Sequence, residues 1–352
     1  MNQRFMALDG LRGVAALLVA TFHTRTAFQI DPIAHGYLAV DFFFILSGFV
    51  VAHAYEERLR NGMSFRRFTV ARAVRLYPMI ALGVLLGTFA AALTWPAPMT
   101  TVLGAGAAAA LVLPIPLRGL PVHLLWPIDP PAWSLFWEIA INFLFALFLF
   151  RLRTVGLATL TLISTLVLLA TARHFHSLEV GYVWSNLWGG LSRVLFGFVV
   201  GVALSRIHRA RGLPVIRTNI WILSVVLLGC LAFPLSSHKD IFDLVAVLVL
   251  FPIIVVAGVS TSAEGALWQW SGRISYPLYL IHAPMLVFFA LAVAGRSSTE
   301  REVVSLVALA LYVAVAAVVV KYYDEPVRSF LGAWTRAPSS IRVEVRSLAT
   351  PS

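Results

Sequence analysis

A chain of 352 residues that is 60% hydrophobic and only 12% charged, with a mean hydropathy of +0.86, lies outside the range of soluble globular domains and reads as an integral membrane protein. Its net charge of +11 invites nucleic acid as a partner, but the basic residues fall in loops between apolar runs and not on one soluble face, which argues against it. The single cysteine, Cys230, stands inside an apolar run and has no partner for an internal disulfide.

Apolar runs near the ~20-residue length of a bilayer crossing recur from residue 8 to residue 322. A hydropathy window sets ten spans at 8–27, 37–55, 77–95, 132–150, 154–172, 188–206, 219–236, 241–259, 275–294 and 303–322. The expected fold class is therefore an all-α integral membrane protein, with one membrane domain over 1–330 and a short basic tail over 331–352. No small-residue cleavage site follows the first run, so it is read as a retained span and not a signal peptide. Residues 100–116 form an eleventh candidate.

Arginine and lysine accumulate in cytoplasmic loops, and this rule arbitrates the eleventh segment. Ten spans and a cytoplasmic N-terminus put the arginines of 56–76, Arg151 with Arg153, the 206–217 loop and the C-terminal tail all on the cytoplasmic side. A full crossing at 100–116 would send the second and third of these clusters outside. The segment is rich in Ala and Gly and ends in "LPIPL", so it is expected to be re-entrant or interfacial. The spacings Gly83/Gly87 and Gly197/Gly201 are expected to serve close helix packing.

Ionisable groups within spans are costly and mark functional candidates. In the first span Arg12 and His23 are eleven residues apart, about three turns and 20°, so they share one helix face roughly 16 Å apart along the axis. They cannot touch, and they read as two stations on one path. A histidine in a wet cavity can take a proton from a hydroxyl or act as a nucleophile; alternatively it bonds a neighbouring helix. The second span, "VDFFFILSGFVVAH", brings Asp41, then Ser47 and Gly48 at mid-span, then His53. The Ser-Gly pair suits close approach of a ligand or of a neighbouring backbone, and spacing alone favours the latter.

The loop "SFRRFTVARAVRLYP" follows, with Arg72 and Arg75 on one face of a helix. Arginine forks bind phosphate oxygens, so the pair is a candidate phosphate cradle; contact with anionic lipid is the plainer reading. In "PPAWSLFWEIAIN" Ser134 and Glu138 share a face, and a carboxylate one turn into hydrocarbon requires a partner, for which Arg12, Arg193 and His23 are candidates. Trp133 and Trp137 also suit an interfacial belt. In "GRISYPLYLIHAP" Pro277 suits a helix first turn, and Ser275, Tyr279 and His282 share a face. The last span leaves through "KYYDEPVRSF", where Asp324 and Glu325 are candidates either for the site or for ion pairs with Lys321 or loop arginines.

The chain carries no phosphate-loop signature, no HExxH, no Cys/His metal cluster and no GxSxG elbow, which argues against the usual ATP-driven pump, zinc protease and serine hydrolase, and no metal site is expected. The stretches "LDGLRGVAALLVATFHT", "DFFFILSGFV", "RRFTVARAVRLYP", "AWSLFWE", "GRISYPLYLIHAP" and "YYDEPVRSF", in this order over nearly the whole chain, resemble the membrane-bound acyltransferase-3 family. Its members are multi-pass proteins that move acyl groups, often acetyl, from acyl-CoA onto sugars of surface polysaccharides, lipopolysaccharides, signalling oligosaccharides and some antibiotics.

The resemblance implies a ten-helix core in a bacterial inner membrane. It carries an Arg-x10-His motif onto Arg12 and His23, with His23 the essential catalytic residue, and an Arg-x-x-Arg pair associated with the acyl donor onto Arg72 and Arg75. A Phe-Phe-x-x-Ser-Gly motif falls on Phe43, Phe44, Ser47 and Gly48, a Trp-Ser-x-x-x-Glu motif on Trp133, Ser134 and Glu138, and a late Ser-Tyr with its histidine on Ser275, Tyr276 and His282. Phe136 and Trp137 depart from the smaller residues common before that glutamate. The expected co-substrate is acyl-CoA, with acetyl-CoA first, and no permanently bound cofactor; the expected acceptor is a carbohydrate, glycolipid or polysaccharide precursor. Interior arginine, histidine and glutamate also line translocation paths, so a transporter or flippase is the competing reading.

Overall fold

The computed structural model describes residues 5–30, 33–115, 124–235 and 237–336. The basic tail expected over 331–352 therefore lies outside the described residues from 337 onward. Among the described residues the chain is all helix and has no strand. The helices are α1 (Met6–Ala27), α2 (Ala39–Arg60), α3 (Phe65–Thr94), α4 (Met99–Ala110), α5 (Ala132–Leu147), α6 (Thr154–Phe175) and α7 (Leu187–Arg211). They are followed by α8 (Ile220–Ala232), α9 (Lys239–Val245), α10 (Phe251–Ser260), α11 (Ala266–Val293), α12 (Ser298–Val319) and α13 (Glu325–Arg336). A π turn at Ala246–Leu250 joins α9 to α10, and another at Val320–Asp324 joins α12 to α13.

Among the described residues, eight helical segments are long and apolar enough to cross a membrane, which makes this a multi-pass membrane protein. Two of the ten expected spans fall on shorter apolar helices, α5 and α8; at 1.5 Å per residue they cover about 24 and 20 Å of a hydrocarbon core of about 30 Å. The eleventh candidate becomes α4, whose 12 residues rise only about 18 Å, too short to cross.

Local sequence sets the helix ends. Asn61-Gly62, with Gly62 at φ +92°, turns the chain after α2, and the Ser64 side chain then caps α3 by accepting from the Arg67 amide. Ser297 and Glu300 form a reciprocal capping box at the start of α12. The expected span at 275–294 starts earlier, at Ala266, so Pro277 is interior to α11 and not in its first turn. Hydropathy misses this extension because "ALWQWSGR" mixes apolar and polar residues; the bundle supports the helix where proline removes an amide.

Glycine notches bring two helix pairs together at the centre. A Cβ on Gly13 of α1 would lie 2.0 Å from the Ser271 Oγ of α11, and one on Gly48 of α2 would lie 2.1 Å from the Phe198 carbonyl oxygen of α7. Gly201 meets the Ile45 carbonyl in the same way, at 2.2 Å. Small residues allow backbones to approach until dispersion contacts hold the pair, which is how helices associate where lipid competes for apolar contact. The contacts Gly48 to Phe198 and Gly201 to Ile45 make α2 and α7 antiparallel. Arg12 contacts Ser275 and His23 contacts His282, so α1 and α11 are parallel.

Arginines of the predicted cytoplasmic loops also have structural work. The Glu56 carboxylate, only 2% exposed, pairs with Arg60 at 3.0 Å and Arg206 at 2.8 Å, and also with Arg209. This knot ties the end of α2 to the end of α7.

Candidate active site

Two cavities of the bundle are lined by sequence-predicted site residues. The first, of about 160 Å³, is lined by Arg12, Ser47, Arg72, Arg75, Glu138 and Ser275 among others. The second, of about 210 Å³, is lined by His23, Tyr37, Trp133, Glu179, Tyr182 and Arg193 among others. They share Val40 and Tyr279 as lining residues. The sequence-predicted residues therefore separate into an arginine cavity and a histidine cavity that meet at one wall.

In the arginine cavity, Glu138 Oε1 accepts from Ser47 Oγ at 3.1 Å and from Arg72 Nη2 at 3.0 Å. The partner that Glu138 requires is thus Arg72, and not Arg12, Arg193 or His23. Arg72 keeps its Nε buried without a hydrogen-bond partner, an unmet donor on a cation in a low-dielectric setting. Arg12 donates to Ser275 Oγ at 3.0 Å and to the Gly272 carbonyl at 3.2 Å, and pairs with Asp9 at 3.0 Å. Tyr276 also lines this cavity and donates to the Leu76 carbonyl at 2.9 Å.

His23, in the wall of the histidine cavity, is backed by a second, fully buried ring. His282 Nδ1 lies 3.1 Å from the Leu278 carbonyl, and His282 Nε2 lies 2.9 Å from His23 Nδ1. A carbonyl only accepts, so this pattern assigns the His282 proton to Nδ1, leaves its Nε2 as acceptor, and assigns the His23 proton to Nδ1. His23 Nε2 is then a bare lone pair with no hydrogen-bond partner among the described residues. The rings are nearly coplanar across this bond, with centroids 5.1 Å apart and planes 7° apart. A base held in one tautomer by a second group is the arrangement that general-base and nucleophilic catalysis require.

Arg193 borders the same cavity but is fully satisfied. It binds Asp41 through two bonds of 3.0 and 2.7 Å, and the Val180 and Tyr37 carbonyls at 2.8 and 2.9 Å. Its guanidinium also lies 4.9 Å from the Trp133 ring centre. Behind it, the buried Asp243 carboxylate accepts from Tyr37 at 3.0 Å and from the Leu178 amide at 2.8 Å, and stands 2.9 Å from His35 Nδ1. This network anchors the 177–183 stretch, which brings Glu179 and Tyr182 to the cavity. Burial pushes the Glu179 carboxyl above its ordinary range, against the pull of Lys239 and Arg193.

Two predicted residues lie elsewhere. Gly48 is absent from the cavity wall because it faces the α7 backbone, so packing is the role its position supports. Glu325 lines neither cavity; it holds Arg273 through bonds of 2.7 and 2.6 Å at the exposed surface. Asp324 pairs with Arg328 at 2.6 Å and not with Lys321. Sequence reasoning did not single out Tyr37, Glu179, Tyr182 or Asp129. Asp129, in the loop before α5, is buried with Oδ1 unpartnered, and burial holds its carboxyl well above the ordinary range. "PIDPPAW" offers the one cue for it: an acid inside an otherwise apolar, proline-rich stretch.

The multi-pass bundle thus carries a cationic cavity beside one that is lined by a histidine held in one tautomer. The sequence model of the acyltransferase-3 family, described as "Acyltransferase domain", matches residues 6–322. The chain belongs to that family and is an acyltransferase. It is also 37% identical over 187 residues to "Protein 2 in picA locus" of Rhizobium radiobacter, an alignment covering 49% of this chain and 97% of that protein. No solved structure matches it.

Proposed function

We infer that the protein is an O-acyltransferase that moves an acetyl group from acetyl-CoA to a hydroxyl of a carbohydrate, glycolipid or polysaccharide precursor. The observation that carries this reading is the meeting of the arginine and histidine cavities at Val40 and Tyr279. The arginine cavity, on the side rich in loop arginines, opens to the cytoplasm and takes the CoA phosphates. Arg72 lines this cavity with guanidinium charge beyond the Nη2 that Glu138 holds, and Arg12 and Arg75 add charge around the donor's path. Glu138 holds Arg72 in place by one oxygen.

The acceptor occupies the histidine cavity, where Trp133, Tyr182 and Tyr37 give the aromatic walls that suit the apolar face of a sugar ring, and Glu179 accepts from its hydroxyls. His23 Nε2 takes the proton of the reacting hydroxyl as its oxygen bonds to the thioester carbon. The C–S bond breaks, and the thiolate leaves with that proton as CoA thiol. His282 supports the imidazolium by accepting its Nδ1 proton in a hydrogen bond. The same Nε2 is the nitrogen that would carry the acyl group in a two-step route. By this reading the protein resides in a bacterial inner membrane.

The test is binding and turnover of radiolabelled acetyl-CoA by the purified protein in lipid, comparing wild type, His23→Ala and the Arg72→Ala/Arg75→Ala double variant. Wild type should bind and release acetyl, the double variant should bind weakly, and His23→Ala should bind without releasing. No affinity of wild type for any acyl-CoA would sink this reading and leave transport as the better account.

A further inference from the structure

We propose that Tyr279 is the movable partition between donor and acceptor cavities, and that its ring limits the length of the acyl group the enzyme accepts. The proposal rests on the donor reading given above and adds to it the determinant of donor specificity.

Position is the first argument. Ser275, Tyr279 and His282 follow one another along one face of α11, so Tyr279 stands about 6 Å beyond the Ser275 level and about 4.5 Å short of the His282 level along the axis. Ser275 bonds Arg12 in the donor cavity, and His282 bonds His23 in the other. Tyr279 is therefore interposed between the two ends of the path. It lines both cavities, which otherwise share only Val40, a small side chain on α2.

How the ring is held is the second argument. The Tyr279 hydroxyl is 2.7 Å from Ser134 Oγ, and Ser134 Oγ lies 3.1 Å from the Pro131 carbonyl. The Tyr279 hydroxyl also lies 3.2 Å from the same carbonyl, so both hydroxyls converge on one acceptor and on each other. The ring edge meets Phe43 at 90° with centroids 5.7 Å apart. These hydroxyl bonds thus pin a side chain with two rotatable bonds, and breaking them frees the ring to swing while the backbone stays in place. Trp133 and Ser134, adjacent on the first turn of α5, face the histidine and arginine cavities respectively; the hinge of this latch is the helix start that also forms both walls.

A closed partition has two chemical consequences. It keeps water in the histidine cavity away from a bound thioester, so the acyl group is spent on acceptor and not on hydrolysis. It also leaves room beside the ring for a short acyl group only. Replacing the phenol ring by a methyl group would join cavities of about 160 and 210 Å³. A longer chain would then fit, and water would reach the thioester. In that reaction water gives its proton to His23 Nε2, its oxygen bonds to the carbonyl carbon, and the departing thiolate takes the proton.

The experiment measures release of CoA thiol from acetyl-CoA and from octanoyl-CoA by the purified protein in lipid without acceptor, together with binding of each. Each variant's octanoyl rate is divided by its own acetyl rate, so loss of folded protein cancels. Tyr279→Ala should raise that ratio at least tenfold and raise acceptor-free acetyl-CoA hydrolysis severalfold. Tyr279→Phe, which keeps the ring but frees it from Ser134 and Pro131, should raise the ratio by less than Tyr279→Ala does. Should Tyr279→Ala fail to reach the membrane, Val40→Ala opens the other half of the same wall and should raise the ratio in the same direction. An unchanged ratio in a variant that binds acetyl-CoA like wild type would overturn the partition while leaving the donor reading intact. Absence of acyl-CoA binding by wild type would overturn both.

Discussion

Two arginine settings in this bundle invite comparison. Arg193 spends its guanidinium on Asp41, two carbonyls and the Trp133 face, and is 1% exposed. Arg72 gives one donor to Glu138, leaves Nε unpartnered, and faces a cavity. Both are charges within a membrane domain, where charge is retained for a reason. The first is consumed by the fold. The second has capacity left over, and unmet capacity beside a cavity is what marks a group for a ligand.

The largest expected effect is at His23. His23→Ala should reduce acetyl transfer by about 10²–10⁴-fold, the usual span for loss of a general base, with acetyl-CoA affinity within about twofold of wild type because no donor contact is assigned to His23. Stopped assays of labelled acetyl transfer, paired with equilibrium binding, read both quantities. Near-wild-type transfer would remove His23 from the chemistry.

Next in size is Arg193→Ala. Removing one member of a buried ion pair leaves Asp41 uncompensated and costs about 3–5 kcal/mol. The expected result is a sharp fall in folded protein, followed by thermal unfolding in detergent, with the surviving fraction retaining donor affinity. Arg72→Ala should do the reverse. Losing charge-assisted bonds of about 1.5–3 kcal/mol each should weaken acetyl-CoA binding roughly 10- to 100-fold, with a smaller loss of thermal stability than Arg193→Ala causes, since Glu138 is 21% exposed and keeps Ser47. If the two variants behaved alike, the distinction between consumed and available charge would fail.

Much of this was legible in the sequence because helical periodicity is local. The shared face of Arg12 with His23, and of Ser275 with Tyr279 and His282, follows from spacing alone. The span positions follow from hydropathy, although α11 begins nine residues before its expected start, at Ala266 and not 275, since the window registers only the strongly apolar stretch. Pairings across the fold had no such signal. Glu138 with Arg72, His23 with His282, and Asp41 with Arg193 are separated by 66, 259 and 152 residues. Several candidate partners in the sequence fit each of them equally well by chemistry. The division into two cavities at Tyr279 was invisible for the same reason, since it depends on how α2, α5 and α11 converge.

The smallest effect expected is at Glu325, and it tests the comparison from the other side. Glu325 and Arg273 form a geometrically good two-bond pair, yet their side chains are 39% and 47% exposed. Exposed pairs gain little, because water already solvates both charges and holding two long side chains together costs entropy, so their worth is typically about 0–1 kcal/mol. Glu325→Gln should therefore leave thermal stability nearly unchanged and leave acetyl-CoA affinity untouched, since the residue borders neither cavity. Isothermal binding and thermal unfolding on the same preparation check this. A clear loss of donor affinity would mean that Arg273, released from Glu325, changes the field at the mouth of the arginine cavity, and the boundary drawn between site and surface would have to include it.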